Sequence, residues 1–125
     1  MVAEQKNIVV VEDEPDTAEM FAEMLRVIGF QVFKSLSGAR AVDLIAEKNP
    51  AAVVLDLMMP DLSGLDVLQE MRHDSRLANI PVIIVSAKSL PSDIRTGLDA
   101  GAACYLTKPV SFRDLKEAIN SVVRP

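Results

Sequence analysis

The stretch Ala52-Val53-Val54-Leu55-Asp56-Leu57 sets four apolar side chains in succession and then a carboxylate. A run this short cannot sustain an isolated helix, and its valines suit a strand. Side chains alternate across a strand, so apolar residues at consecutive positions mean that both faces are covered, the habit of a parallel sheet. The same reading applies to residues 8–11 (IVVV) and 82–85 (VIIV), and weaker runs at 31–34 and 104–106 complete a set of five expected strands.

Helical periods separate these runs. Ala18, Phe21, Leu25 and Ile28 recur along one face, and Gly29 follows as a stop. Val42 and Ile45, flanked by Ala41 and Leu44, form a second stripe that ends before Asn49-Pro50. Leu65, Leu68 and Met71 form a third, Ile94 and Leu98 a fourth, and Phe112, Leu115, Ile119 and Val122 a fifth. The fifth opens with Ser111 and, three positions on, Asp114, the pattern of a capped amino terminus. Strands alternating with helices in this way predict an α/β, doubly wound (βα)5 fold with a parallel sheet and helices on both faces. Sheets of this kind bind ligands beyond the carboxyl ends of their strands.

The residues at those ends are polar. Glu12, Asp13 and Glu14 follow the first run, Asp56 ends the third, Ser86 the fourth, and Thr107-Lys108-Pro109 the fifth. Parallel pairing would bring Glu12, Asp13, Asp56, Ser86 and Lys108 to one edge. Three carboxylates in one pocket repel one another unless a cation or shared protons intervene, and Mg²⁺ with its preference for oxygen donors suits that need. A carboxylate beside such a cation, a lysine and a hydroxyl is equipped to attack a phosphoryl group, with Asp56 as nucleophile. Each residue alone has a plainer reading: first-turn acids, a turn aspartate, a surface lysine. Their joint placement at four strand ends is what carries the inference.

Composition narrows the class. The 125 residues suit one domain (1–125, core about 7–123), and half of them are hydrophobic. Thirteen basic against eighteen acidic residues give a net charge of −5, which argues against direct binding to nucleic acid or to an anionic membrane surface. No apolar run is long enough to span a membrane, and residues 1–7 are too polar for a signal peptide. A lone cysteine, Cys104, is consistent with a cytoplasmic protein.

Four stretches together resemble the receiver domains of two-component response regulators, including chemotaxis-type single-domain ones. They are Ile8-Val9-Val10-Val11-Glu12-Asp13-Glu14-Pro15, Val54-Leu55-Asp56-Leu57-Met58-Met59-Pro60-Asp61-Leu62-Ser63-Gly64, Val82-Ile83-Ile84-Val85-Ser86-Ala87 and Tyr105-Leu106-Thr107-Lys108-Pro109. The resemblance implies a five-stranded sheet in the order 2-1-3-4-5. It implies that Asp56 accepts phosphate from a sensor histidine kinase or a histidine phosphotransfer protein. Glu12, Asp13, Asp56 and the backbone carbonyl of Met58 would hold Mg²⁺, with Mn²⁺ a possible substitute. Ser86 and Lys108 would contact the phosphoryl group, Tyr105 would be the aromatic switch residue, and the Lys108–Pro109 bond would be cis. Met58 and Lys88 stand where the family tunes phosphate lifetime, and Met58 is expected to slow self-hydrolysis. Glu12 replaces the Asp of many receivers and Ser86 the Thr, each keeping its functional group.

Such a protein is a phosphoacceptor rather than a turnover enzyme. An aspartate-nucleophile phosphatase would want a second Asp at position 58, and a flavin-binding flavodoxin-like domain would want hydroxyls or Gly after the first strand. A receiver-like module without phosphorylation would lack one of the acids or the lysine. Output is expected through the fourth helix, fifth strand and fifth helix, with Arg95, Asp99, Tyr105 and Lys116 as contacts. That face would engage a downstream protein target, a linked effector domain or a second copy in a homodimer. The chain ends after the fifth helix, so either a stand-alone regulator or a segment of a longer protein is expected. The fourth helix, near 92–100, contains Gly97 and is followed by Gly101, which marks it as the least stable and the one most suited to switching. His73 is expected to be an exposed helix-end residue and Cys104 a small buried hydrophobe, while Arg26, Arg40 and Arg113 form no cluster.

Overall fold

A computed structural model describes residues 5–123. Residues 1–4, which include part of the segment read as too polar for a signal peptide, and residues 124–125 lie outside that range. Five strands and five helices alternate: β1 (Asn7–Val11), α1 (Pro15–Ile28), β2 (Gln31–Ser35), α2 (Gly38–Lys48), β3 (Ala52–Asp56), α3 (Gly64–His73), β4 (Val82–Ser86), α4 (Pro91–Asp99), β5 (Cys104–Thr107) and α5 (Phe112–Val122). All strand pairs are parallel, in the order β2-β1-β3-β4-β5. This is the doubly wound α/β architecture expected from the sequence. No described helix is long and apolar enough to cross a membrane.

The consecutive apolar runs divide between two cores. Val9, Val11, Val53, Leu55, Val82 and Ile84 face one side with Ala41 and Ile45 of α2 and Val67, Leu68 and Met71 of α3. Ile8, Val10, Val54, Ile83 and Val85 face the other with Ala18, Phe21 and Leu25 of α1 and Leu115 and Ile119 of α5. Every residue of β3 and β4 is buried, whereas the edge strands β2 and β5 are mostly half-exposed.

Local signals set the helix limits. Gly29 ends α1 at φ 122°, a left-handed region that costs a residue with a Cβ far more than glycine. Ser111 caps α5 by accepting the Asp114 amide at 3.0 Å, and Ser63 caps α3 through the Asp66 amide at 3.3 Å. Arg72, at the end of α3, donates from Nε and Nη2 to the Gly101 carbonyl at 3.2 and 2.9 Å and from Nη1 to the Ala78 carbonyl at 3.2 Å. It ties the α3–β4 and α4–β5 connections to one another. His73 is exposed, as expected. Cys104 is half-buried rather than fully buried, because it sits on edge strand β5 with Sγ 4.0 Å from Ser121 Oγ. Arg26 pairs with Glu19 and Glu23, and Arg113 with Glu117, all at the surface.

Candidate functional site

Strand register brings the polar strand ends together. Val11 pairs with Leu55, so Glu12 follows β1 beside Asp56; Asp56 pairs with Val85, and Ser86 with Thr107 just ahead of Lys108. The chain passes from β1 to β2 on one side and later to β3 on the other, so this is the point where the strand order reverses.

Three carboxylates converge there. Oxygen atoms of Glu12, Asp13 and Asp56 all lie within 4.8 Å of one another. Glu12 is 1% exposed and Asp56 3% exposed, and Asp13 is half-buried. Lys108 Nζ donates to Glu12 Oε1 at 2.7 Å and to Asp56 Oδ2 at 3.1 Å. The other Asp56 oxygen, Oδ1, accepts the Met58 amide at 3.1 Å, which turns the chain over the carboxylate. Glu14 leaves the group: its carboxylate caps α1 by accepting the Thr17 amide at 2.9 Å. Of the acidic run after β1, the helix-cap reading therefore holds for Glu14 alone.

Charge balance in this pocket is tight. Burial pushes the Glu12 carboxyl above its ordinary value; the Lys108 and Glu14 hydrogen bonds oppose the shift and the Asp56 charge adds to it. Burial also works against the Lys108 ammonium, but its hydrogen bonds to Glu12 and Asp56 prevail and hold its pKa above the ordinary lysine value. An arrangement of hard anionic oxygens, two of them on buried residues and only partly neutralised by one ammonium, fits a small divalent cation.

The remaining residues are linked through main chain. Ser86 is fully buried, and its Oγ accepts the Lys88 amide at 3.1 Å. The Tyr105 hydroxyl donates to the carbonyl oxygen of the same Lys88 at 2.8 Å. Ser86 and Tyr105 are thus joined by one residue's backbone, a connection that no side-chain pattern announces. The Lys108–Pro109 peptide is cis. Met58 is 52% exposed at the rim of the pocket, and Lys88 is exposed as well. Arg95, Asp99 and Lys116 are exposed, while Tyr105 is half-buried.

Two structural supports were not evident from the sequence. Asp61, in the β3–α3 loop, accepts Ser37 Oγ at 2.7 Å and the Ala39 and Gly38 amides at 3.0 and 3.2 Å, capping α2 from across the fold. Those bonds, led by the Ser37 hydroxyl, lower its pKa to about 2. Gly64 opens α3 so close to β3 that an added Cβ would collide with the Asp56 carbonyl oxygen and lie 2.7 Å from Leu57 Cα.

The profile of the response regulator receiver domain matches residues 8–120. The chain is 38% identical to a probable transcriptional regulator, ycf27, of the alga Porphyridium aerugineum, over 97% of its own length and 49% of that protein's. It is 31% identical to the polar-differentiation response regulator DivK of Brucella ovis, over 93% of its length and 94% of that protein's. It therefore spans about half the length of some curated relatives and nearly all of others. Among solved structures, the receiver domain of a sensor histidine kinase from Pseudomonas aeruginosa, with a magnesium ion coordinated in its active-site cleft, superposes with a TM-score of 0.88 at 28% identity, covering 96% of this chain and 98% of that one. A profile match across both cores and every strand end, on a sheet of order β2-β1-β3-β4-β5, leaves one conclusion: the chain belongs to the response regulator receiver domains of two-component signalling.

Proposed function

We propose that this receiver is a phosphoacceptor whose Asp56 takes a phosphoryl group from a phosphohistidine on a sensor kinase or histidine phosphotransfer protein. The observation that carries the reading is the state of Asp56: a buried carboxylate with Lys108 on one oxygen, the Met58 amide on the other, and two further carboxylates beside it.

In the transfer, an Asp56 oxygen bonds to phosphorus as the phosphorus–nitrogen bond of the donor breaks, and the imidazole leaves with the electron pair. Glu12, Asp13, Asp56 and the Met58 carbonyl are the groups that would hold Mg²⁺, or Mn²⁺ in its place, and the cation would supply charge neutralisation to the phosphoryl oxygens. Lys108 already touches Asp56 and is positioned to follow its negative charge onto the new phosphoryl oxygens. The Ser86 hydroxyl, at the neighbouring strand end, is the group to hydrogen-bond one of those oxygens. If Oγ shifts toward the phosphoryl group to do so, its bond from the Lys88 amide is disturbed, and the disturbance reaches Tyr105 through the Lys88 carbonyl. The output surface is then the face of α4, β5 and α5, presented to a protein target, an effector domain or a second copy, in the cytoplasm. Hydrolysis of the aspartyl phosphate resets the site, and Met58 at the rim stands in the way of the attacking water.

The test is incubation with acetyl phosphate and Mg²⁺, followed by intact-mass measurement of the wild type and Asp56→Asn. The wild type is expected to gain one phosphoryl group and the variant none. An equal gain in both refutes Asp56 as the acceptor, and no gain in either refutes the phosphoacceptor reading and leaves a receiver-like interaction module.

A further inference from the structure

Helix α4 meets the rest of the fold differently from the other four helices. Its buried residue is Gly97 alone, whereas α1, α2, α3 and α5 each insert two or more apolar side chains into a core. At Gly97 the contact is therefore made by backbone. A Cβ at Gly97 would lie 2.8 Å from Ile84 Cδ1 and 2.9 and 3.0 Å from Cδ2 and Cε2 of the Tyr105 ring. The bare helix backbone walls the space in which that ring sits.

From the ring the contacts continue in one direction. The Tyr105 hydroxyl reaches the Lys88 carbonyl at 2.8 Å, and the Lys88 amide reaches Ser86 Oγ at 3.1 Å. The burial pattern decides which neighbour would yield to a methyl at position 97. Ile84 has no exposed surface and lies in central strand β4 within a close-packed core, which resists displacement. Tyr105 is half-buried on edge strand β5, with solvent beside it. The ring is the part that moves.

We propose that Gly97 is a positioning residue: its missing side chain seats the Tyr105 ring against α4, and through the Lys88 peptide this seating holds the Ser86 hydroxyl in place for phosphorylation of Asp56. The seating stands on packing alone, and the last step rests on the reading of Asp56 as phosphoacceptor. Glycine here also explains why α4 tolerates a poor helix former in mid-helix, since the backbone approach takes precedence over propensity.

The chain has one tyrosine and no tryptophan, so its intrinsic fluorescence reports on Tyr105 alone. Gly97→Ala is introduced into the wild type and into Ile84→Val, which removes the Cδ1 atom nearest the added methyl. Acrylamide quenching and the rate of Asp56 phosphorylation by acetyl phosphate are then measured, with circular dichroism to confirm folding. One extra methyl in a packed contact is expected to shift the seated ring population by on the order of tenfold. Gly97→Ala should therefore be more strongly quenched and phosphorylated at a changed rate, and the Ile84→Val background should recover part of both. That background also carries the comparison if the single variant does not fold. Unchanged quenching on adding Gly97→Ala overturns the proposal. So does increased quenching with an unchanged phosphorylation rate, because the coupling to Ser86 is then absent. A wild type that takes up no phosphate, with quenching as expected, supports the seating and overturns the reading of Asp56 instead.

Discussion

Replacing Asp13 with Asn should stabilise the protein without divalent cations and nearly abolish its stabilisation by them. The carboxylate oxygens of Glu12, Asp13 and Asp56 lie within 4.8 Å of one another, and at an effective dielectric of about 20 two unit charges at that separation repel by about 3.5 kcal/mol. Asp13 is half-buried and Lys108 offsets part of the field, so about 1–2 kcal/mol of relief is expected in the folded state. For a chain of this size that is a rise of roughly 4–8 °C in Tm, read by thermal unfolding in a chelator. With free Mg²⁺ about tenfold above its Kd the wild type should gain about 1.4 kcal/mol, while the variant, short of one anionic donor, gains little. The pH dependence has a definite sign. Burial holds Glu12 above its ordinary value of 4.5, so the folded chain keeps that proton to higher pH than the unfolded chain does. Stability without metal therefore falls as the pH rises from 4.5 through the raised value, and the advantage of Asp13→Asn widens in the same direction. A variant less stable than the wild type in chelator, or one that Mg²⁺ stabilises equally, refutes the reasoning.

Three further outcomes follow from supports outside the pocket. Arg72→Met removes the bonds to the exposed Gly101 carbonyl and the part-buried Ala78 carbonyl and should cost about 1–1.5 kcal/mol in urea unfolding. Gly64→Ala forces a methyl against backbone that cannot rotate away, so it should cost about 3 kcal/mol and impair Asp56 phosphorylation, measured on the soluble fraction. Asp61 is depressed to about 2 from an ordinary 3.8, so its contribution is complete above 3.8 and is lost as the pH falls toward 2. Asp61→Ala should remove that part of the acid-unfolding profile while leaving the neutral-pH Mg²⁺ response in place.

Much of this was legible in the sequence, and the part that was not has a common physical cause. Consecutive apolar residues in β1, β3 and β4 read as strands because alternate side chains enter two different cores. The acids and Lys108 were legible because polar side chains directly after such strands must share one edge. Arg72, Asp61 and the Tyr105–Lys88 bond were not, because each joins a side chain to main chain of a distant segment, and Gly97 was not, because it makes its contact with its own bare backbone. Every residue carries an amide and a carbonyl, so such partners leave no mark in the pattern of side chains. Gly97 illustrates the difference: from sequence it signalled a weak helix, and in the fold it is the point of closest approach between α4 and Tyr105.

The lysine explains how a fold can keep an acidic pocket before its ligands arrive. Three carboxylates and the Lys108 ammonium leave two negative charges, the complement of one divalent cation. Without Lys108 the same three groups would carry three, and with Glu12 nearly inaccessible to water the metal-free pocket could relieve itself only by taking up protons. The ammonium lowers that demand, and its flexible stem would let it leave Glu12 if phosphorylation, as proposed, made Asp56 more negative. Its present position, 2.7 Å from Glu12 and 3.1 Å from Asp56, is therefore that of a counterion already in reach of the site where phosphoryl charge would develop.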